Sequence, residues 1–238
     1  MDWEVMPEQT TETKNSNLSA DIAATLKEQI IRWEYLPGHR FTEEELCQKF
    51  RVSRSPVREA LRMLAANRLI MQMPHRGYQV KQPDMQEIDE LYEVRLALEL
   101  FVVERLAEQG ITREVVDELK QTWHSVLHPP AKSSEELAAM DEAFHETLAQ
   151  ALGNKTFLQQ LHTINERLFI LRMIDFTSPE RTTTTSWQHI EILDRIVARD
   201  IPGARAAIRK NIEDGRSNVE TSVKGALARA YLNQVPGL

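Results

Sequence analysis

From Met85 to Leu232 the chain holds roughly 150 residues of nearly uninterrupted helical pattern. A stretch of that kind has few ways to bury its apolar faces. The residues that break it are Gly110, Pro129-Pro130, Gly153-Asn154, Ser178-Pro179 and Asp200-Ile201-Pro202, all typical punctuation of helices. The spacing predicts six helices, at about Met85–Glu108, Thr112–Leu127, Ser133–Leu152, Lys155–Phe176, Pro179–Arg199 and Pro202–Leu232. Helices joined by short loops pack as an antiparallel bundle.

The part before Met85 follows a different plan. Residues Met1 to Asn17 are polar and without period, as a flexible tail would be. Leu18 to Trp33 reads as a helix with Leu18, Ile22, Leu26, Ile30 and Trp33 on its buried side, stopped by Leu36-Pro37-Gly38. Thr42-Glu43-Glu44-Glu45 fits a reciprocal capping box and opens a short second helix. After Arg51-Val52-Ser53 comes a third helix, which Ser53 or Ser55 can cap. Val57, Ala60, Leu61 and Leu64 line its apolar face, while Arg54, Arg58 and Arg62 fall four apart on another. Taken alone this is as well an ordinary surface helix with a solvated arginine stripe. Its setting argues otherwise, because a short helix, a brief turn and a second helix form the geometry that enters a major groove. Leu69–Met73 and Gly77–Val80 then read as a hairpin turning at Pro74-His75-Arg76-Gly77, a wing with an arginine at its tip.

Charge supports two parts with different tasks. The net charge is −7, yet from Lys49 to Arg76 there are seven basic residues against one acid, Glu59. Beyond Val80 there are 18 Lys and Arg against 25 Asp and Glu. A local basic patch can hold phosphates while the remainder stays acidic and soluble. The single cysteine, Cys47, rules out an internal disulfide and suits the reducing cytoplasm. The N-terminus lacks the pattern of a secretion signal, and no apolar run is long enough to span a bilayer, so no membrane partner is expected.

Polar groups inside the helical part are the other lead. Arg95 and Glu99 sit four apart within an apolar run, Leu96-Ala97-Leu98-Glu99-Leu100-Phe101-Val102-Val103, that is expected to be buried nearly all round. They form either an internal ion pair or a cavity wall that holds a ligand carboxylate. Asp141 and His145 are also four apart, half of a metal site, although such pairs arise readily by chance and a solvent-facing histidine is the ordinary case. His124 and His128 read as surface residues near a helix C-terminus. Of Arg167 and Arg172, spacing does not say which one faces inward.

Residues 18 to 80 resemble the winged helix-turn-helix of the GntR family of bacterial transcription regulators. The likeness lies in Leu36-Pro37-Gly38, in Val52-Ser53-Arg54-Ser55-Pro56-Val57-Arg58-Glu59-Ala60-Leu61, and in Arg76-Gly77-Tyr78-Gln79-Val80. Residues 85 to 232 resemble the all-helical effector (FCD) domain of the FadR-like subgroup, through Arg95 and Glu99, through Asp141, Phe144 and His145, and through His189. The resemblance implies DNA contacts from Ser53, Arg54, Ser55, Arg58, Arg62, Arg76 and Gly77, and an effector held near Arg95, Glu99 and Arg172. It also implies a metal set of Asp141, His145, His189 and Asn211, with Asn211 standing where many relatives have histidine. Three states are then open: a divalent ion (Zn, Ni or Mn), weak metal binding, or a metal-free site that holds a small acid directly. Glu43, Glu44 and Glu45 replace a basic residue that some relatives use on DNA, and are expected to serve the helix dipole instead.

The whole reads as a mainly α chain: a tail at 1–17, a winged helix-turn-helix at 18–80, a linker at 81–84, a helical effector-binding and dimerisation domain at 85–232, and a tail at 233–238. The function expected is a ligand-responsive regulator, a repressor by resemblance, that binds a near-palindromic double-stranded DNA operator as a homodimer and is switched by a small metabolite, an organic acid by resemblance, in the helical domain. The rival is a metal-dependent enzyme built on the bundle.

Overall fold

The computed structural model describes residues 9–74, 77–128 and 131–232, with the backbone alone for 9–17. The chain divides into two compact units, residues 1–83 with 225–238, and residues 84–224.

In the first unit, helix α1 (Gln9–Ile31) packs on α3 (Arg54–Ala66), which also packs on α2 (Glu43–Phe50). Helix α1 starts before the expected Leu18, inside what reads as a tail. Nothing between Gln9 and Leu18 is glycine or proline, so the helix runs back unbroken. Residues 1–8, 233–238, His75 and Arg76 of the expected turn, and Pro129-Pro130 lie outside the described residues. Trp33 is not on the helix: it sits past the end with φ 59° and is half-buried, and Ile31 takes the buried place. Thr42 and Glu45 form the expected capping box on α2, with Thr42 Oγ1 accepting from Glu45 N at 3.2 Å and Glu45 Oε2 from Thr42 N at 2.9 Å. Val57, Ala60, Leu61 and Leu64 of α3 are all buried, as their spacing requires.

The wing is a three-stranded sheet, not a lone hairpin. Strand β3 (Gly77–Val80) lies between β2 (Ile70–Met73) and β1 (Arg40–Phe41), antiparallel to both. Two residues carry no readable alternation, which hides β1 in the sequence. Phe41 faces Tyr78 across the ladder, and both are buried. Gly77 enters β3 at φ +77°, and a Cβ there would lie 2.3 Å from the Phe41 carbonyl oxygen. Only glycine meets both conditions.

The second unit holds α4 (Met85–Gln109), α5 (Arg113–Val126), α6 (Ser134–Ala151), α7 (Lys155–Asp175), α8 (Pro179–Val197) and the larger part of α9 (Ile201–Leu232). Their N-termini are fixed by side-chain oxygens: Asp84, Ser133, Asn154 and Ser178 each accept from first-turn N–H groups, and Pro179 stands at the first turn of α8. Helix α4 packs on α6, α7 and α8, α6 on α7, and α5 on α8. Ion pairs Arg205–Glu104 and Arg216–Asp89 join α9 to α4. Helix α4 is not buried all round, as its apolar run suggested. Its neighbours cover one side, and Val94 and Phe101 keep 51% and 45% of their surface exposed. No helix among the described residues is long and apolar enough to cross a membrane.

Gly77→Ala is expected to destabilise the first unit by more than about 1 kcal/mol, read as an earlier urea-unfolding transition. Unchanged unfolding would contradict the assigned strand geometry.

Candidate DNA interface and buried metal centre

The arginine face of α3 is at the surface: Arg54, Arg58 and Arg62 are exposed, with Ser53 and Ser55 beside them. Ser53 holds the N-cap position without giving its side chain to the helix. First-turn N–H groups and a serine hydroxyl are therefore presented together at a helix N-terminus, a natural phosphate seat. Arg58 has a partner that spacing did not reveal. Glu43, expected to serve the helix dipole, receives Arg58 Nε on both oxygens, at 2.8 and 2.9 Å. All three acids stand in the first turn of α2, as foreseen for the helix dipole, and Glu45 also closes the capping box. The Arg58–Glu43 pair is partly exposed and contributes only about 0–1 kcal/mol. It ties the Arg58 guanidinium on α3 to α2 through Nε. Gly77 lies at the wing's return strand.

The second unit encloses a cluster of charges. Arg95 and Glu99 on α4 are 3% and 2% exposed and pair through Arg95 Nε and Glu99 Oε1 at 2.6 Å, the internal ion pair that was one of the two alternatives. The other Glu99 oxygen meets His145 Nδ1 on α6 in a short hydrogen bond. Asp141, one turn earlier, has its Oδ2 at 3.0 Å from Arg172 Nε on α7 and 3.8 Å from Arg95 Nη2. Its Oδ1 is 3.3 Å from His189 Nε2 on α8 and 3.7 Å from His145 Nε2. Arg172 is the inward arginine, whereas Arg167 is exposed and pairs with Glu87 at 2.6 Å. His124 and His128 are at the surface, as expected.

Burial alone would raise the carboxyl pKa values here, but the partners reverse it. His145 and Arg95 hold Glu99 down at about 2. His145, His189 and Arg172 hold Asp141 well below the usual range. Burial is decisive for His189, lowering it to about 4, so its ring is neutral near pH 7. It also pushes the Tyr92 hydroxyl up to about 12.

His189 is held by rings instead of hydrogen bonds. Phe144 stacks on it at 3.8 Å and 12°, and Trp123 of α5 meets it edge-on at 4.2 Å. Both of its ring nitrogens are buried without a hydrogen-bond partner, as are His145 Nε2 and Arg95 Nη2, whereas Arg172 Nε is met by Asp141 Oδ2. One atom each from Asp141, His145 and His189 lies within 4.8 Å of the others. Two imidazole nitrogens and a carboxylate oxygen suit a divalent transition ion. The Glu99 carboxylate on His145 Nδ1 is the outer partner that fixes the ring and leaves Nε2 for a metal. The residues present fit the group.

Asn211, also buried, gives its amide N–H to Gln188 Oε1 at 3.1 Å. The same oxygen accepts from Arg181 Nη1, and Arg181 Nε is paired with Asp175 at 2.9 Å. The asparagine side chain is thus held by Gln188, the residue before His189 on α8. Trp123 against His189, and the buried group of Gln188, Arg181 and Asp175 around Asn211, are features that sequence spacing did not reveal. Their roles depend on which helices adjoin, and no local motif carries that.

The descriptions matched in family models are "Bacterial regulatory proteins, gntR family" over residues 18–80 and "FCD domain" over residues 90–214. The chain is 32% identical over 155 residues to the gluconate operon transcriptional repressor of Bacillus licheniformis, covering 64% of this chain and 63% of the relative. It is 26% identical over 198 residues to the HTH-type transcriptional repressor RspR of Escherichia coli, covering 83% and 86%. Among solved structures, a GntR regulator from a Rhodococcus species shares the fold, with TM-score 0.55 and 22% identity over 85% of this chain and 97% of that one. A winged helix-turn-helix joined to an all-helical FCD domain makes this chain a member of the GntR family of bacterial transcription regulators.

Proposed function

We propose that this regulator is a repressor. It binds a near-palindromic operator as a homodimer and is controlled by a small organic acid in the second unit, on a divalent metal ion. What carries the effector half is the convergence of His145 Nε2 and His189 Nε2, neither in a hydrogen bond, on Asp141 beside Arg95, whose Nη2 also makes none. Asp141, His145 and His189 would hold the ion, and Asn211 stands by through Gln188. Bound there, the ion would supply positive charge to an acid's oxygens.

Charge balance supports an anionic effector. Arg95 and Arg172 already match Glu99 and Asp141, so a dication adds two uncompensated positive charges to a buried site. An organic acid restores the balance and can meet Arg95 Nη2. One relative's name ties it to a gluconate operon, and gluconate is a carboxylate. The repressor assignment leans on the two relatives named as repressors. The relatives lend nothing to a reading as an enzyme.

On the DNA side, Arg54 and Arg58 would read base edges, with Arg62 and the serines Ser53 and Ser55 on phosphates and the Arg76-Gly77 wing tip in the minor groove. Two copies would place two α3 helices in successive major grooves. Effector binding switches the protein only if it favours one arrangement of the DNA-binding units over another, typically by about 1–3 kcal/mol.

Arg54→Ala with Arg58→Ala is expected to weaken operator binding by about 30-fold or more, since a bidentate base contact is worth about 1–3 kcal/mol. Retained affinity in a gel shift would remove α3 as the reading helix. His145→Ala should lower bound metal and abolish the response to carboxylic acids while operator binding without effector persists. Equal metal content in wild type and variant, by mass spectrometry, would rule out the metal.

A further inference from the structure

A second group of ligating side chains lies outside the buried centre, on the other side of Arg172. Helix α6 presents Glu142 and Glu146 four residues apart, and antiparallel α7 answers with His162 and Glu166, also four apart. His162 Nδ1 lies 3.0 Å from Glu146 Oε1 and 3.9 Å from Glu142 Oε1, and His162 Nε2 lies 3.6 Å from Glu166 Oε1. One ligand atom each from Glu142, Glu146 and His162 falls within 4.8 Å of the others.

Two features separate this group from a solvated charge run. First, it is braced from below. Asn165, with no exposed surface, donates its amide N–H to Glu146 Oε1 at 3.0 Å, and its own Oδ1 accepts from Arg172 Nη2. A buried amide locked by a buried guanidinium thus fixes a surface carboxylate, as outer groups fix metal ligands. Second, the charge is unbalanced. Three carboxylates surround one imidazole, and the guanidinium nearest to Glu142, Arg172 at 3.9 Å, is already committed to Asp141. Half of the His162 side chain is exposed, so an ion can reach it from solvent.

We infer that Glu142, Glu146 and His162 form a second, solvent-accessible site for a divalent transition ion of the zinc type. Glu166 is placed to shield or complete it. One imidazole and two carboxylates are donors zinc accepts, with water filling the remaining position. A hard ion such as magnesium gains little from the imidazole. Two hydrogen bonds and an ion pair, Glu146–Asn165–Arg172–Asp141, run from this surface site to the buried centre.

The test is a zinc titration of the full-length protein after chelator treatment, counting equivalents against a chromophoric indicator. The variants are His162→Gln, His162→Gln with Glu146→Gln, and His189→Ala. Circular dichroism first verifies that each metal-free variant keeps its helix content. Wild type is expected to bind one equivalent more than either His162 variant, and one more than the His189 variant. If the His162 variants match wild type, the surface site is overturned, whatever the buried centre does. If they lose an equivalent while His189→Ala loses none, the surface site stands and the buried metal reading falls.

Discussion

Four charges buried together set the terms for the second unit. Arg95, Glu99, Asp141 and Arg172 come from three helices and have almost no access to water. A buried charge left alone costs several kcal/mol, so α4, α6 and α7 are held to the one arrangement in which these groups meet. Hydrophobic packing of Phe144, Leu148, Leu161 and Leu168 supplies cohesion, but it tolerates sliding and repacking better than ionic pairing does. The polar cluster therefore acts as a register for the bundle. Its imperfections are where chemistry enters: Arg95 Nη2, His145 Nε2 and His189 Nε2 make no hydrogen bond, and each lies within 4 Å of an Asp141 oxygen.

The two histidines illustrate two ways of preparing one atom. His145 is oriented by a carboxylate, which takes its Nδ1 and presents Nε2. His189 is oriented by Phe144 and Trp123, which clamp the ring and exclude water, and burial keeps it uncharged. Both end with a nitrogen near Asp141 Oδ1. The first unit uses the opposite strategy. Its Arg58–Glu43 contact is at the surface, costs little to exchange, and keeps an arginine extended without burying it.

Much of this was legible in the chain. The bundle helices fall within two residues of the expected limits, because Gly, Pro and capping Ser, Asn and Asp mark their ends chemically. The α3 core face followed from spacing alone. Strand β1 was invisible because two residues have no period, and α1 began early because polar residues without a breaker read equally as tail or helix. The apolar run of α4 misled in another way: composition states how greasy a helix is, not how many neighbours surround it. Asp141 and His145 could be seen as a pair because one helix carries both. The joining of His189, Arg172 and Glu99 to them is tertiary, and only the family resemblance brought those residues together beforehand. Trp123, Asn165 and Gln188 had no signal of either kind.

The central claim is that the buried cluster is a metal centre and not merely a set of paired charges. Anomalous diffraction from a crystal of the full chain grown with nickel or zinc would test it most directly. The account predicts a peak among Asp141 Oδ1, His145 Nε2 and His189 Nε2. A data set with no peak there, and with Asp141 still facing both rings around an ordered water, would contradict it.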